Sequence, residues 1–176
     1  LELDQATLTL GGYRTTIYTP PHRMVCQLFM KADMFRSNEQ KNFFAILDKH
    51  ISNQDAPLLM EGTTGLGKTR AYLHAIARTS KRVAIVLPTH QLIDQLIGSA
   101  DLQVVGLHDI ASFRPARMFD TRKEYETQKG KALAARVMVC TAASVIIDQR
   151  LSGEYNGATE REYMLFDEAD QLPDMA

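Results

Sequence analysis

The sequence has few cysteines, no long apolar run and almost no net charge. Its 176 residues include two cysteines, Cys26 and Cys140, neither in a Cys-x-x-Cys pair. That argues against zinc sites and disulfide scaffolds. Two isolated thiols suit a reducing compartment, and we expect a cytoplasmic protein. No apolar run approaches the roughly 18 residues that cross a bilayer, so we expect no membrane partner.

Charge is nearly balanced, with 20 Lys and Arg against 21 Asp and Glu. A formal net charge of -1 gives no global sign of binding to nucleic acid or membrane. Partners therefore have to be inferred from local charge and from motifs. With 45% hydrophobic residues, the chain can bury a core of its own without covalent cross-links.

The first part of the chain has the pattern of a hairpin. Leu, Thr and Tyr alternate around Gly11 and Gly12, which predicts two strands joined by a glycine turn. Residues 1–34 are therefore expected to form an N-terminal β-hairpin extension, and residues 35–176 the main domain. At the start of this domain, Ser37 is a predicted helix N-cap with Gln40 at the capping-box position.

The main domain alternates short apolar runs with segments of helix length. The runs that we expect to be strands are 57–60, 83–87, 104–105, 137–140 and 163–166. Buried parallel strands that alternate with helices produce this pattern. The predicted fold class is α/β, with a mostly parallel sheet and helices on both faces.

A glycine-rich motif follows the first of these runs. The pattern Gly-x-x-x-x-Gly-Lys-Ser/Thr is formed by Gly62, Thr63, Thr64, Gly65, Leu66, Gly67, Lys68 and Thr69, with Arg70 next in the chain. Glycines let backbone N–H groups surround a phosphate, and the following helix presents its positive end to the anion. The Lys68 amine suits the β- and γ-phosphates, and the Thr69 hydroxyl suits a Mg²⁺ ligand. The motif predicts a P-loop NTPase that uses ATP and Mg²⁺.

Two adjacent acids follow the last apolar run. Asp167 and Glu168 come directly after Phe166, at the edge of a parallel sheet where ligands bind. In this Walker B arrangement Asp167 would hold Mg²⁺, and Glu168 would orient and deprotonate the attacking water. Lys68, Asp167 and Glu168 are therefore the predicted catalytic residues of nucleotide hydrolysis.

Four stretches resemble the first RecA-like domain of a superfamily 2 helicase, specifically a DinG-like helicase of the XPD family. They are the phosphate loop with its flanks (61–73), Arg36 with Gln40, the segment 88–96, and the acidic segment 167–174. The resemblance implies that Arg36 and Gln40 bind adenine, although Gln40 can instead cap its own helix. It also implies that Thr89, at motif Ia, contacts the backbone of a nucleic-acid strand, with His90 and Thr141 as further contacts.

The resemblance implies an ATP-dependent DNA helicase that moves 5′ to 3′ on single-stranded DNA. We expect the domain to be incomplete, and weakly active, without the second RecA-like domain. The family usually has His where this chain has Asp170, and four cysteines where it has Cys140 alone, so we expect no iron–sulfur cluster. A compact domain of this kind resembles the CRISPR-associated DinG branch, which implies a CRISPR ribonucleoprotein complex as partner.

Two other functions stay open at this point. Residues 167–170 read Asp-Glu-Ala-Asp and residues 88–95 read Pro-Thr-x-x-Leu-x-x-Gln, which are typical of DEAD-box RNA helicases. Residues 141–144 fit that family poorly. A P-loop regulator that senses nucleotide is the third alternative, against which the motif Ia resemblance and Glu168 count.

Local charge indicates where nucleic acid would bind. Residues 111–136 contain seven basic and three acidic side chains, and such a segment can neutralise backbone phosphates. A solvated helix face with mixed ion pairs is the alternative. Within this segment we select Arg114 and Arg117 as candidate nucleic-acid contacts.

Overall fold

The computed structural model of the chain contains two compact units. They are Leu1–Arg36 and Ser37–Ala176. The residues described by the structure are 5–10, 13–18, 35–53, 57–62 and 65–171. In the first unit, β1 (Gln5–Leu10) pairs antiparallel with β2 (Tyr13–Tyr18), as the alternating pattern predicts. Gly11, Gly12 and Cys26 lie outside the described residues.

The second unit is built on a parallel sheet of four strands. They are β3 (Val83–Leu87), β4 (Ile110–Ser112), β5 (Val137–Thr141) and β6 (Tyr163–Phe166). Their order across the sheet is β4-β5-β3-β6, and every neighbouring pair is parallel. The carboxyl ends of all four strands therefore lie along one edge of the sheet. This confirms the predicted α/β fold class.

Helices connect these strands and flank the sheet. The described part of the unit contains α1 (Asn38–Asn53), α2 (Lys68–Arg78), α3 (His90–Ile97), α4 (Ala100–Val105), α5 (Arg122–Ala134) and α6 (Ala142–Arg150). The connection from β3 to β4, through α3 and α4, runs in one direction across the sheet. The connections from β4 to β5, through α5, and from β5 to β6, through α6, run in the other direction. Right-handed crossovers then put α5 and α6 on the opposite face from α3 and α4. None of the helices in the described ranges has the length and apolar character needed to cross a bilayer.

The core lies on both faces of the two central strands. Ala84 and Val86 of β3 and Met138 and Cys140 of β5 form one buried cluster with side chains of α5 and α6. All five residues of each of these strands are buried, because successive side chains point to opposite faces and both faces are covered. Burial raises the pKa of the Cys140 thiol to about 12, so this cysteine is an inert part of the core.

The first predicted strand is wrong. Residues 57–60 are irregular, and Leu58 and Leu59 are 40% and 90% exposed. A strand needs a neighbour for its backbone N–H and C=O groups. Within the described residues no strand pairs with this segment, so its apolar composition alone does not make it one.

The predicted strand at 104–105 is also wrong, because these valines end the helix α4. The Ser99 hydroxyl accepts a hydrogen bond from the Asp101 backbone N–H at 3.1 Å and caps the start of this helix. Gly106, with a φ of 70°, ends it. These local caps outweigh the β preference of the two valines, and the strand forms five residues later as β4 (Ile110–Ser112).

A buried carboxylate organises the connection between α6 and β6. Asp148 is 0% exposed and accepts backbone hydrogen bonds from Asn156, Gly157 and Thr159 at 2.7, 3.0 and 2.9 Å. The Thr159 hydroxyl donates a fourth at 2.7 Å. Burial by itself raises the pKa of Asp148, but these donors outweigh it and hold the pKa below its usual value.

Two arginines bind helix ends at the amino-terminal edge of the sheet. Arg136 donates to the carbonyl of Thr79, just after α2, at 2.8 Å. Arg161 is 6% exposed and donates to the carbonyls of Ala132 and Ala135, at the end of α5, at 2.9 and 2.6 Å. The last carbonyls of a helix have no partner within it, so these guanidinium groups complete both helices. Burial lowers the pKa of Arg161 to about 10, and the group stays charged at neutral pH.

Asp148→Asn should destabilise the fold, because an amide cannot accept all of the bonds that the buried carboxylate accepts. We expect a loss of about 2 kcal/mol in the free energy of unfolding at pH 7, measured by urea denaturation. The folded-state pKa is depressed, so the contribution of the carboxylate is complete above the unfolded value of about 4 and declines below it. The difference in the free energy of unfolding between wild type and variant should therefore become smaller as the pH falls below about 4.

The control is Asp120→Asn, which makes the same change at an exposed position and should leave stability within about 0.5 kcal/mol of wild type. Equal losses in the two variants would contradict the role given to Asp148.

Candidate functional site

The glycine-rich loop leads into α2 with left-handed backbone. Gly65 and Gly67 have φ angles of 81° and 79°, which residues with a side chain rarely adopt. The carbonyl of Gly67 accepts the first helical hydrogen bond, from the N–H of Ala71 at 3.1 Å. The unpaired N–H groups of the first turn of α2 therefore begin at the loop. Thr63 and Thr64 lie outside the described residues.

The Lys68 side chain lies across this loop. Its amine donates to the carbonyl of Gly62 at 3.0 Å. A methyl group placed at Gly62 would lie 3.0 Å from the Leu66 side chain and 3.1 Å from that of Lys68, so the loop closes tightly there. Arg70 is half-buried, and its Nε has no hydrogen-bond partner among the described residues. The Lys68 cation therefore lies at the first glycine of the loop, and its binding to phosphate stays a prediction.

Gln40 connects α1 to the phosphate loop. It is 1% exposed, and its side-chain amide donates to the carbonyl of Gly67 at 3.0 Å. Its backbone N–H donates to the Ser37 hydroxyl at 3.1 Å, which confirms Ser37 as the N-cap. The sequence did not predict this hydrogen bond between Gln40 and the loop. Adenine binding by Gln40 stays a prediction, as it does for Arg36, an exposed residue of the first unit.

The strand β6 delivers the two predicted acids to the carboxyl edge of the sheet. The N–H of Asp167 donates to the carbonyl of Val86 at 3.0 Å, which continues the pairing with β3. The Asp167 carboxylate accepts a hydrogen bond from the Glu168 N–H at 3.1 Å. Glu168 has a φ of 55°, a strained conformation for a residue with a side chain and one that clusters at functional sites. The side-chain amide of Gln171 donates to the Glu168 carboxylate.

A tyrosine to which the sequence analysis gave no role lies between the two halves of the candidate site. Tyr72 lies on α2, one turn after Thr69, and is 2% exposed. Its hydroxyl lies within interaction range of the Thr69 side chain and the Asp167 carboxylate, with Glu168 also close. Burial first, and the Asp167 carboxylate second, raise the pKa of Tyr72 well above its usual value. The three-residue spacing from Thr69, which puts both on one helix face, is the signal that would have found it.

The donor atoms of this site fit Mg²⁺. Thr69 offers a hydroxyl and Asp167 a carboxylate, and Mg²⁺ prefers oxygen ligands. The buried Tyr72 hydroxyl has no hydrogen bond of standard geometry to any described residue, so it remains available to this cluster. No group of three or more His, Cys, Asp or Glu side chains in the described ranges could hold a metal by itself. A cation here would therefore take further ligands from nucleotide phosphates.

Four of the predicted nucleic-acid residues lie at the carboxyl ends of β3 and β4. Thr89 caps α3, and His90 is the first residue of that helix. Arg114 and Arg117 lie close enough to lower the pKa of His90, whose burial is the larger cause. Arg114 also forms an ion pair with Asp94. The structure thus brings Thr89 and His90 together with two basic side chains, and the contact of these four residues with nucleic acid stays a prediction.

The fifth predicted nucleic-acid residue, Thr141, is buried at the end of β5. It is 5% exposed, and its hydroxyl accepts a hydrogen bond from the Ser144 N–H at 3.3 Å. It also lies 3.0 Å from the Ser144 hydroxyl. The structure assigns Thr141 the N-cap of α6, and its contact with nucleic acid stays a prediction.

Comparison with known families decides the assignment. The family model described as type III restriction enzyme, res subunit (ResIII), matches residues 34–175. The chain belongs to this family. The ResIII domain is a superfamily 2 helicase-like domain with a RecA-like fold, which agrees with the parallel sheet and the phosphate loop. No curated protein matches the chain.

Membership of the ResIII family implies an ATP-hydrolysing enzyme with helicase-like action on nucleic acid and with ATP and Mg²⁺ as cofactors. The broad resemblance inferred from the motifs is thereby confirmed at the level of the superfamily. The assignment to DinG or XPD, the type of strand and the direction of movement are finer statements, and they stay predictions.

Gly67→Ala should distort the phosphate loop of the ResIII domain. A Cβ atom there would meet the Gln40 amide nitrogen at 2.3 Å, at a φ of 79°. We expect thermal unfolding to show a loss of about 1–3 kcal/mol, together with weaker nucleotide binding. The matched control is Gly130→Ala in α5, where a Cβ atom meets nothing within 4 Å. Helix propensity should make that variant more stable by about 0.5–1 kcal/mol. If Gly67→Ala had wild-type stability, the Gln40 side chain would be able to move away from the new Cβ atom without a loss of free energy.

Proposed function

We propose that this ResIII-family domain is the nucleotide-binding part of an ATP-dependent DNA helicase that moves on single-stranded DNA. The observation that carries the proposal is that Thr69, after the phosphate loop, and Asp167, after β6, both lie near the Tyr72 hydroxyl, because hydrolysis needs the phosphate loop and the acidic strand end in one site. The family is named for a restriction enzyme. Since restriction enzymes act on DNA, the name favours DNA over RNA.

Different residues of the chain would bind the phosphates, hold Mg²⁺ and activate the attacking water. The Lys68 amine and the backbone N–H groups at the start of α2 would bind the β- and γ-phosphates. Thr69 and Asp167 would hold Mg²⁺, which when bound supplies positive charge to the phosphate oxygens. The Glu168 carboxylate would orient the attacking water and accept its proton. The strained backbone of Glu168 and its bond from Gln171 restrict where that carboxylate can point.

The nucleic-acid strand would lie along the carboxyl edge at β3 and β4. Thr89 and His90 follow β3, the neighbour of β6 in the sheet. Arg114 and Arg117 follow β4, on the other side of β5, and lie near His90. Because β3 pairs with both β5 and β6, one rigid sheet supports the two sites. Movement 5′ to 3′, completion of the active site by a second RecA-like domain, and a CRISPR ribonucleoprotein partner extend the proposal by motif resemblance to DinG-like helicases.

An RNA helicase is the second candidate, and residues 167–170, which read Asp-Glu-Ala-Asp, favour it. The deciding experiment measures ATP hydrolysis by the full-length protein with single-stranded DNA and, separately, RNA of matched sequence. Stimulation by DNA alone supports the proposal. Stimulation by RNA alone would replace it with the RNA helicase, and stimulation by neither would favour a nucleotide-sensing regulator.

Two substitutions in the full-length protein should separate nucleotide binding from hydrolysis. Lys68→Ala removes a cation from the phosphates, and Glu168→Gln removes the proton acceptor while keeping its shape. We expect both to lower the turnover rate by about 100-fold or more. A fluorescent ATP analogue should show that Glu168→Gln still binds nucleotide, whereas Lys68→Ala binds weakly. Full ATPase activity in Glu168→Gln would remove this residue from the role of base.

Arg117→Ala should weaken binding to single-stranded DNA, measured by fluorescence anisotropy across a series of salt concentrations. Arg117 is exposed beside His90, and losing one phosphate contact should lower the slope of log affinity against log salt by about 0.7. Arg150→Ala is the control, because it removes the same charge from the last residue of α6, at the other edge of the sheet. Equal effects of both variants would place the strand elsewhere.

A further inference from the structure

Tyr72 is a buried polar side chain at the site, and the mechanism above gives it no role. A tyrosine in a core finds a hydrogen-bond partner for its hydroxyl in most proteins. Here the ring is 2% exposed, and no described residue bonds the hydroxyl with standard geometry. Leaving a buried hydroxyl without a partner has a cost in stability, and such a group in a native protein calls for an explanation.

The surroundings of the hydroxyl supply that explanation. The groups near it are the Thr69 hydroxyl and the carboxylates of Asp167 and Glu168. Thr69 and Tyr72 lie three residues apart on α2, so the helix holds their relative position. Asp167 directly follows β6, an element separate from α2. A side chain that lies near both can orient two cation ligands from separate parts of the fold.

We infer that Tyr72 is a positioning residue of the cation site, whose hydroxyl orients the Asp167 carboxylate and the Thr69 hydroxyl toward one shared divalent ion. The inference rests on the proposed function, since it takes Thr69 and Asp167 as ligands. Groups that bond to metal ligands from behind fix the direction of the donor atoms. Hydrogen bonds in active sites are often long without the reactants and tighten when they bind, which agrees with the geometry at Tyr72.

The tyrosine also has the chemistry for this task. A phenolic hydroxyl carries one proton that it can donate to a carboxylate and lone pairs that can accept from another hydroxyl. Phenylalanine would fill the same space without the donor. Tyr72→Phe therefore removes the proposed interaction and leaves the packing of the ring in place.

The experiment measures how much Mg²⁺ strengthens nucleotide binding. The affinity of the 176-residue chain for fluorescent ADP is titrated with Mg²⁺ present and again in EDTA, for wild type and Tyr72→Phe. We expect the Mg²⁺-dependent gain in affinity to fall about ten-fold in the variant, with affinity in EDTA unchanged. The melting temperature without ligand should stay equal or rise, because the substitution deletes a hydroxyl that lacks a good partner.

Tyr155→Phe is the matched control. Tyr155 packs edge-on against Phe113, with ring centroids 5.2 Å apart, on the core cluster beside α5 and α6. This control should keep the full Mg²⁺-dependent gain. The same change at Tyr72 tests the hydroxyl alone.

Each other outcome overturns the inference in a distinct way. An unchanged Mg²⁺-dependent gain in Tyr72→Phe would show that the hydroxyl orients nothing, while the proposed function stands. Equal weakening with Mg²⁺ and with EDTA, or a lower melting temperature, would make Tyr72 a structural residue. No nucleotide binding by wild type would remove the proposed function and the inference together.

Discussion

Parallel pairing of β3 with β6 is the constraint on which the site depends. The pairing extends to the bond between the Asp167 N–H and the Val86 carbonyl, so the acidic residues leave the sheet in a fixed position. The other neighbour of β3 is β5, and both central strands are buried throughout. A shift of one residue in this register would move the acids and turn every side chain of β6 to the other face of the sheet. The chemistry at the edge is thus tied to the packing of the core.

The fold class and the main chemical residues could be predicted because their signals are local. A phosphate loop needs its glycines, lysine and threonine in consecutive positions, and an acidic strand end needs two acids after an apolar run. Lys68, Asp167 and Glu168 were selected in this way, and their catalytic roles stay predictions. The alternation of apolar runs with helical segments gave the parallel sheet for the same reason, since each element carries its own period.

Most of the errors and omissions arise where contacts between residues far apart in the sequence decide the structure. Residues 57–60 have a strand-like composition, but composition does not supply a neighbouring strand. The error at 104–105 has a local cause instead, because Ser99 and Gly106 cap a helix and outweigh two β-branched residues. The role proposed for Tyr72 depends on its closeness to Asp167, and the link from α1 to the loop depends on the bond of Gln40 to Gly67. Those contacts span 95 and 27 positions along the chain, and no period in the sequence reports them.

The bond from Gln40 to the Gly67 carbonyl has a thermodynamic consequence for ligand affinity. A loop that becomes ordered only when it closes on a phosphate loses conformational entropy at that moment, and the loss is subtracted from the binding free energy. Here α1 holds the end of the loop through a buried amide before any ligand arrives. Part of the conformational entropy of the loop is therefore lost when the protein folds and not when the ligand binds. The helix α1 contains no part of the phosphate-binding motif, yet it contributes to affinity because it restricts the conformations of the empty loop.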